Sequence, residues 1–233
     1  MIGFYDYTVW LTYFSLLSGS LGIIVCLKGS GHPFIGIFFL MFSGLCDTFD
    51  GKVARTKKDR TPAMRTYGIQ IDSLSDLVAF GVLPPCIGTA MLRLSSRLTD
   101  IPRLVKSAEG DRIVYPVLLA MICLFYVLAA MIRLAYFNVM EEERQHTESG
   151  GRKEYLGLPV TSAALIFPSV LLFQYATAAD LTLLYFGVML ATAVLFITPF
   201  RVPKPGIKGI VFMVGIGFAE FVLLLIRFGF GKR

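Results

Sequence analysis

The sequence predicts an all-α fold, a polytopic transmembrane helical bundle. Two observations carry the prediction. Apolar runs of membrane-spanning length recur along the 233 residues, 55% of which are hydrophobic, and the mean hydropathy is +0.69. The polar stretches between the runs are short, so the spans use most of the chain and residues 1–233 are expected to form one integral membrane domain.

Seven segments meet the span criterion of about 20 residues: 8–28, 34–55, 72–93, 114–138, 157–178, 181–200 and 208–229. The residues before the first, MIGFYDY, lack the basic start of a secretory signal, so that run is expected to be retained. The second segment ends in acidic residues and the third begins with them. Pro84-Pro85 in the third and Pro168 in the fifth should kink or break their helices, because proline has no N–H to donate. The fourth carries Arg133 a turn or more inside its polar end. Ala179-Asp180 alone joins the fifth to the sixth, which implies a tight hairpin. The seventh contains Glu220, for which the sequence offers no partner. Cys26, Cys46, Cys86 and Cys123 are dispersed through apolar runs without C-x-x-C spacing and read as reduced packing residues.

Charge orients the chain. With the connector 56–71 on the cytoplasmic side, the N-terminus and the connectors 139–156 and 201–207 share that side, which then carries twelve Lys and Arg against nine opposite. Five of those nine lie in the connector 93–113, whose apolar and basic residues alternate as in a surface-lying amphipathic segment. The net charge of +6 suits anionic lipid headgroups, and no basic-aromatic module for nucleic acid stands apart from the spans. His32 and His146 sit in polar connectors and read as bland.

Residues 47–76 hold five of the nine aspartates, and four of them, Asp47, Asp50, Asp72 and Asp76, adjoin the strongly apolar flanks on either side. Carboxylates at membrane depth are costly and mark function. At 100° per residue, Asp47, Asp50, Gly51, Ala54 and Arg55 fall within about 140° of one helix face. Asp72 and Asp76, at i and i+4, lie one above the other on a second helix. Four like charges need compensation; Arg55 offsets one, and Mg²⁺ or Mn²⁺ suits an all-oxygen donor set. A solvated acidic rim balancing Lys52, Lys57 and Lys58 is the bland alternative.

These residues resemble the signature of the CDP-alcohol phosphotransferase family, D-x-x-D-G-x-x-A-R followed by G-x-x-x-D-x-x-x-D. Here the two halves are Asp47, Asp50, Gly51, Ala54 and Arg55, then Gly68, Asp72 and Asp76, separated by a twelve-residue spacer longer than the family commonly has. The resemblance implies a six-helix core, so one of the seven segments is expected to be peripheral or re-entrant, and it implies a homodimer. It also implies a two-metal site on Asp47, Asp50, Asp72 and Asp76. CDP-diacylglycerol would lie against Asp47, Gly51, Ala54, Arg55 and Gly68, and Asp76 would be the catalytic base toward an alcohol.

Two further stretches resemble bacterial and archaeal phosphatidylserine synthases: Arg133-Leu-Ala-Tyr-Phe-Asn138, and Gly157-Leu-Pro-Val-Thr-Ser162. Thr12-Tyr-Phe-Ser15-Leu-Leu-Ser-Gly19 is similar to a third motif of that group. Ser15 stands where the group usually has Asn, and Tyr136 where it has a second Arg. L-serine is therefore the expected acceptor, with Arg133 for its carboxylate and Asn138 or the Gly157–Ser162 loop assisting, while snorkelling to the headgroups is the other reading of Arg133. The expected location is the cell membrane, with the site facing the cytoplasm. The rivals are an inositol-phosphate or glycerol-phosphate acceptor, an intramembrane prenyltransferase, and a cation transporter.

Overall fold

The computed structural model describes residues 2–28, 31–95, 111–147, 154–177, 179–203 and 207–230. Helical bodies stand where the seven apolar runs predict them. They are α1 (Trp10–Leu27), α2 (Pro33–Ala54), a continuous body made of α3 (Pro62–Asp76), a π-helical turn (Leu77–Val82) and α4 (Leu83–Leu94), then α5 (Asp111–Thr147), α6 (Ala163–Thr177), α7 (Thr182–Ile197) and α8 (Ile207–Phe230). Among the described residues, four stretches are long and apolar enough to cross a membrane: Trp10–Leu27, Pro33–Ala54, Pro62–Leu94 and Pro116–Glu143. Shorter apolar helices occupy Val160–Gln174, Thr182–Ile197 and Val211–Ile226. The amphipathic reading of the 93–113 connector falls almost wholly on residues outside those described.

Three features differ from the sequence reading. The third body begins at Pro62, ten residues before the apolar run, so most of the expected 56–71 connector is helix. Thr61 caps it by accepting from the Met64 N–H at 3.2 Å, and Pro62 takes the first helical position, where its missing N–H costs nothing. The fifth run enters its helix only at Ala163, after a 3₁₀ turn at Val160–Ser162. The bundle also carries one short ribbon, β1 (Glu154–Leu156) antiparallel to β2 (Arg201–Pro203), with Tyr155 opposite Val202.

Small residues let the first three helical bodies approach closely, the usual device where lipid removes the hydrophobic drive between helices. A Cβ on Gly19 would lie 2.9 Å from the Ala79 backbone, so only glycine allows α1 to cross the π turn here. Ser15 and Ser43 exchange hydroxyl–carbonyl bonds between α1 and α2, and Ser18 donates to the Phe39 carbonyl at 2.8 Å. The π turn directly precedes Pro84-Pro85. Pro84 has no N–H for the carbonyl four residues back, Phe80, and the buried Tyr126 hydroxyl donates to that carbonyl at 2.9 Å. Tyr185 donates likewise to the Pro84 carbonyl at 2.9 Å. Tyr126, Phe167, Tyr185 and Phe196 pack as an aromatic core among α5, α6 and α7.

Connectors group at two ends, as the sequence reading has them. At one end β1 pairs with β2, and Asp6 of the N-terminal segment meets Lys57 at 2.8 Å. At the other, Arg93 bonds the Leu27 carbonyl, and Ser95 bonds Asp180, whose carboxylate also accepts from the Thr182 N–H and opens α7. All four cysteines are free. His32 is the N-cap of α2, its Nδ1 accepting from the Phe34 N–H at 3.3 Å. Glu220 has a partner after all: Ser169 of α6 donates to its Oε1, while its Oε2 is buried with no hydrogen bond.

Candidate active site

The last turns of α2 and the middle of α3 bring carboxylates from both halves of the acidic window together. One oxygen each from Asp47, Asp50 and Asp72 falls within 4.8 Å of the others. Asp50 is buried and accepts from the Thr12 hydroxyl at 3.2 Å, so α1 supplies a wall of the site. The Ser75 hydroxyl in turn donates to the Thr12 carbonyl at 3.2 Å, locking α3 to α1. Asp76 lies one turn further along α3, 7% exposed, and is not one of the three grouped carboxylates. The group suits a hard divalent cation. Its donors are all carboxylate oxygens from converging helices, and among the described residues Asp72 Oδ1 is buried with no hydrogen-bond partner.

Small residues and cations surround this group on the connector side. A Cβ on Gly51 would meet only the Arg55 guanidinium, at 3.6 and 3.9 Å, so Arg55 folds back over an open patch of α2. Gly68 is closed off instead: its Cβ would lie 2.7 Å from Arg60 Nη2. Arg60 also donates to the Ala54 carbonyl at 3.5 Å and the Met64 carbonyl at 3.2 Å. Sequence reasoning counted Arg60 as orienting charge only, and gave Thr12 no chemical role. Neither contact has a local sequence signal beyond the motif that contains Thr12.

On the opposite flank, α5 brings Arg133 and Asn138. Arg133 is buried, at 5% exposure, so it does not snorkel. Its Nε donates to the Leu158 carbonyl at 3.1 Å and its Nη2 to the Gly157 carbonyl at 3.4 Å, bracing the Gly157–Ser162 loop. Gly157 sits at φ +77°, where a Cβ would also crowd the Thr198 and Phe196 carbonyls at 3.1 and 3.2 Å. Its N–H donates to the Phe200 carbonyl at 2.6 Å, which pins the loop to the end of α7. Asn138 donates to the Ser73 hydroxyl at 2.8 Å, tying α5 to α3 beside Asp72.

An N-terminal strap covers the junction between α2 and α3. Phe4 packs edge-on against Tyr67, Tyr13 meets the Tyr67 hydroxyl at 2.9 Å and donates to the Phe4 carbonyl, and Tyr7 meets Thr56 at 3.2 Å. Asp6 binds Lys57, and Lys57 with Thr8 holds its carboxyl down at about pKa 2.

A model of the CDP-alcohol phosphatidyltransferase family matches residues 8–198, which takes in six helical bodies, α1 to α7, and leaves out α8. The CDP-diacylglycerol–serine O-phosphatidyltransferase of Saccharomyces cerevisiae is 33% identical over 164 residues, 67% of this chain and 50% of that protein. The chain thus spans about half the length of this relative. The archaetidylserine synthase of Methanothermobacter thermautotrophicus is 28% identical over 194 residues, covering 83% and 68%. A CDP-diacylglycerol–serine O-phosphatidyltransferase of Bacillus subtilis is 27% identical over 156 residues, covering 66% and 69%. No solved structure matches. With both signature halves meeting at one carboxylate site inside the matched region, the chain belongs to the CDP-alcohol phosphatidyltransferase family.

Proposed function

We propose that this protein transfers the phosphatidyl group of CDP-diacylglycerol to the hydroxyl of L-serine, forming phosphatidylserine and CMP. The observation that carries the reading is the meeting of Asp47, Asp50 and Asp72 from the two signature helices, with buried Asp76 one turn beyond. The names of the three relatives favour serine over a phosphorylated acceptor. A lipid-linked substrate also accounts for a site set inside a membrane bundle.

Asp47, Asp50 and Asp72 would hold Mg²⁺ or Mn²⁺, and Asp76 completes the donor set that the family signature implies. A metal held there would supply charge neutralisation to a diphosphate. The chain does the rest. Arg55, lying over Gly51, pairs with a nucleotide phosphate. Arg133 and the loop it braces receive serine, with Asn138 fixing α5 against α3. Asp76 accepts the hydroxyl proton as the serine oxygen bonds the phosphatidyl phosphorus, and CMP leaves with the electron pair of the broken P–O bond. The positive-inside count supports a cytoplasmic position for this end of the bundle in the cell membrane, and the family resemblance favours a homodimer. The test is acceptor choice. Purified protein given CDP-diacylglycerol should move label from serine into lipid, and should not use inositol phosphate or glycerol phosphate. Preference for a phosphorylated acceptor would overturn the assignment.

A further inference from the structure

Along both signature helices the small residues sit one turn from the carboxylates, on the same side. Ala54 follows Asp50 by four residues on α2, which runs toward the connector, and Gly68 precedes Asp72 by four on α3, which runs away from it. Four residues of helix rise about 6 Å. A niche bounded by Ala54 and Gly68 therefore opens on the connector side of the carboxylate group. A lipid-linked nucleotide has one way to lie here. Its acyl chains stay in the apolar layer and its diphosphate meets the carboxylates, so its nucleoside extends toward the connector, into this niche.

Arg60 occupies the niche. Its Nη2 is where a Gly68 side chain would be, at 2.7 Å from that Cβ position, and its Nη1 reaches the Ala54 carbonyl. The two nitrogens are held by carbonyls, but Nε is buried and has no hydrogen-bond partner among the described residues. A buried guanidinium donor without an acceptor is costly, and a guanidinium offers donors only. What fits it is a ligand with acceptor oxygens or ring nitrogens, which a pyrimidine nucleotide has. Arg60 belongs to the twelve-residue spacer between Arg55 and Gly68, so the spacer contributes a side chain to the site as well as joining its halves.

We propose that Arg60 is a further substrate-binding residue: it fills the nucleoside niche of the ligand-free protein and donates to the nucleotide when CDP-diacylglycerol binds. The inference rests on reading CDP-diacylglycerol as the donor substrate, but not on serine as the acceptor. A purely structural role, pinning the connector through Ala54 and Met64, is the alternative.

CMP binding separates the two, since CMP is soluble and its binding needs no acceptor. Calorimetric titration of CMP into the purified full-length protein with Mn²⁺ should show affinity lost at least fivefold in Arg60→Ala. Thermal unfolding and the KM for serine should stay near wild type. Arg60→Lys, which keeps a cation but not the fork, should fall between. Affinity within fivefold of wild type in Arg60→Ala, or tighter binding, would overturn the proposal. If Arg60→Ala does not fold, Arg60→Lys decides: a measurable loss of CMP affinity supports the proposal and wild-type affinity overturns it. If the wild-type protein binds no CMP, the donor-substrate reading itself fails, an outcome distinct from equal binding by wild type and variant.

Discussion

Each aspartate of the site has its own surroundings, and those surroundings separate their roles. Asp50 is tied to Thr12, Asp72 has an oxygen with no hydrogen-bond partner among the described residues, and Asp76 is buried outside the grouped three. Asp76→Asn should lower turnover by about 10²–10⁴-fold, the usual contribution of a general base, while retaining CMP binding. Activity within tenfold of wild type would remove Asp76 from the chemistry. Arg133→Lys tests the acceptor side. Lysine cannot span the Leu158 and Gly157 carbonyls with a planar fork, so the KM for serine should rise several-fold and that for CDP-diacylglycerol much less. Equal rises in both constants would assign Arg133 to the loop alone. The carboxylates were legible because their spacing is local, i+3 on one helix and i+4 on the next. The Thr12–Asp50 bond spans 38 positions and Arg60 is defined by what it covers, so neither has a periodicity to read.

At the scale of elements, the apolar runs marked the helices and the polar first turns hid a boundary. Residues 62–71 (PAMRTYGIQI) carry Arg65 and Gln70 and read as connector, yet Thr61-Pro62 is a cap followed by an N1 proline, a start signal that the hydropathy of the window obscured. Strands of three residues are too short to show alternation, which is why β1 and β2 went unread. The proline pair was read as a kink, and the structure supplies its form, a π turn whose displaced Phe80 carbonyl is taken by Tyr126. Tyr126→Phe keeps the ring and strands that carbonyl, so it should cost about 1–3 kcal/mol in reversible unfolding. The strap makes a pH prediction. The Asp6 carboxyl is lowered from 3.8 to about 2, so its pairing stabilises the docked strap fully above pH 3.8 and is lost as pH falls toward 2. Trp10, the only tryptophan, donates to the Tyr5 carbonyl at 3.1 Å and reports on the strap. Its fluorescence should change across that window, and in Lys57→Ala the change should move to higher pH; an unmoved transition would show that the ion pair does not hold the strap.

The whole molecule is a membrane bundle whose family core is α1 to α7, with α8 packed outside the matched region through Phe38–Phe221 and Ser169–Glu220. The hydropathy of the sequence did not single out α8, which is as apolar as its neighbours; it lies beyond the residues that the family model matches. Grouping of the connectors at two ends was legible from alternation of spans, and the β1–β2 pair joins two of them. What the bundle accomplishes is to bring three carboxylates from two helices together, braced by α1. The direct test is serine-dependent CMP release from CDP-diacylglycerol by the reconstituted protein. It should stop on EDTA treatment, return with Mg²⁺ or Mn²⁺, and be absent in Asp72→Asn even with metal in excess. Undiminished release in metal-free buffer, or a fully active Asp72→Asn protein, would contradict the account.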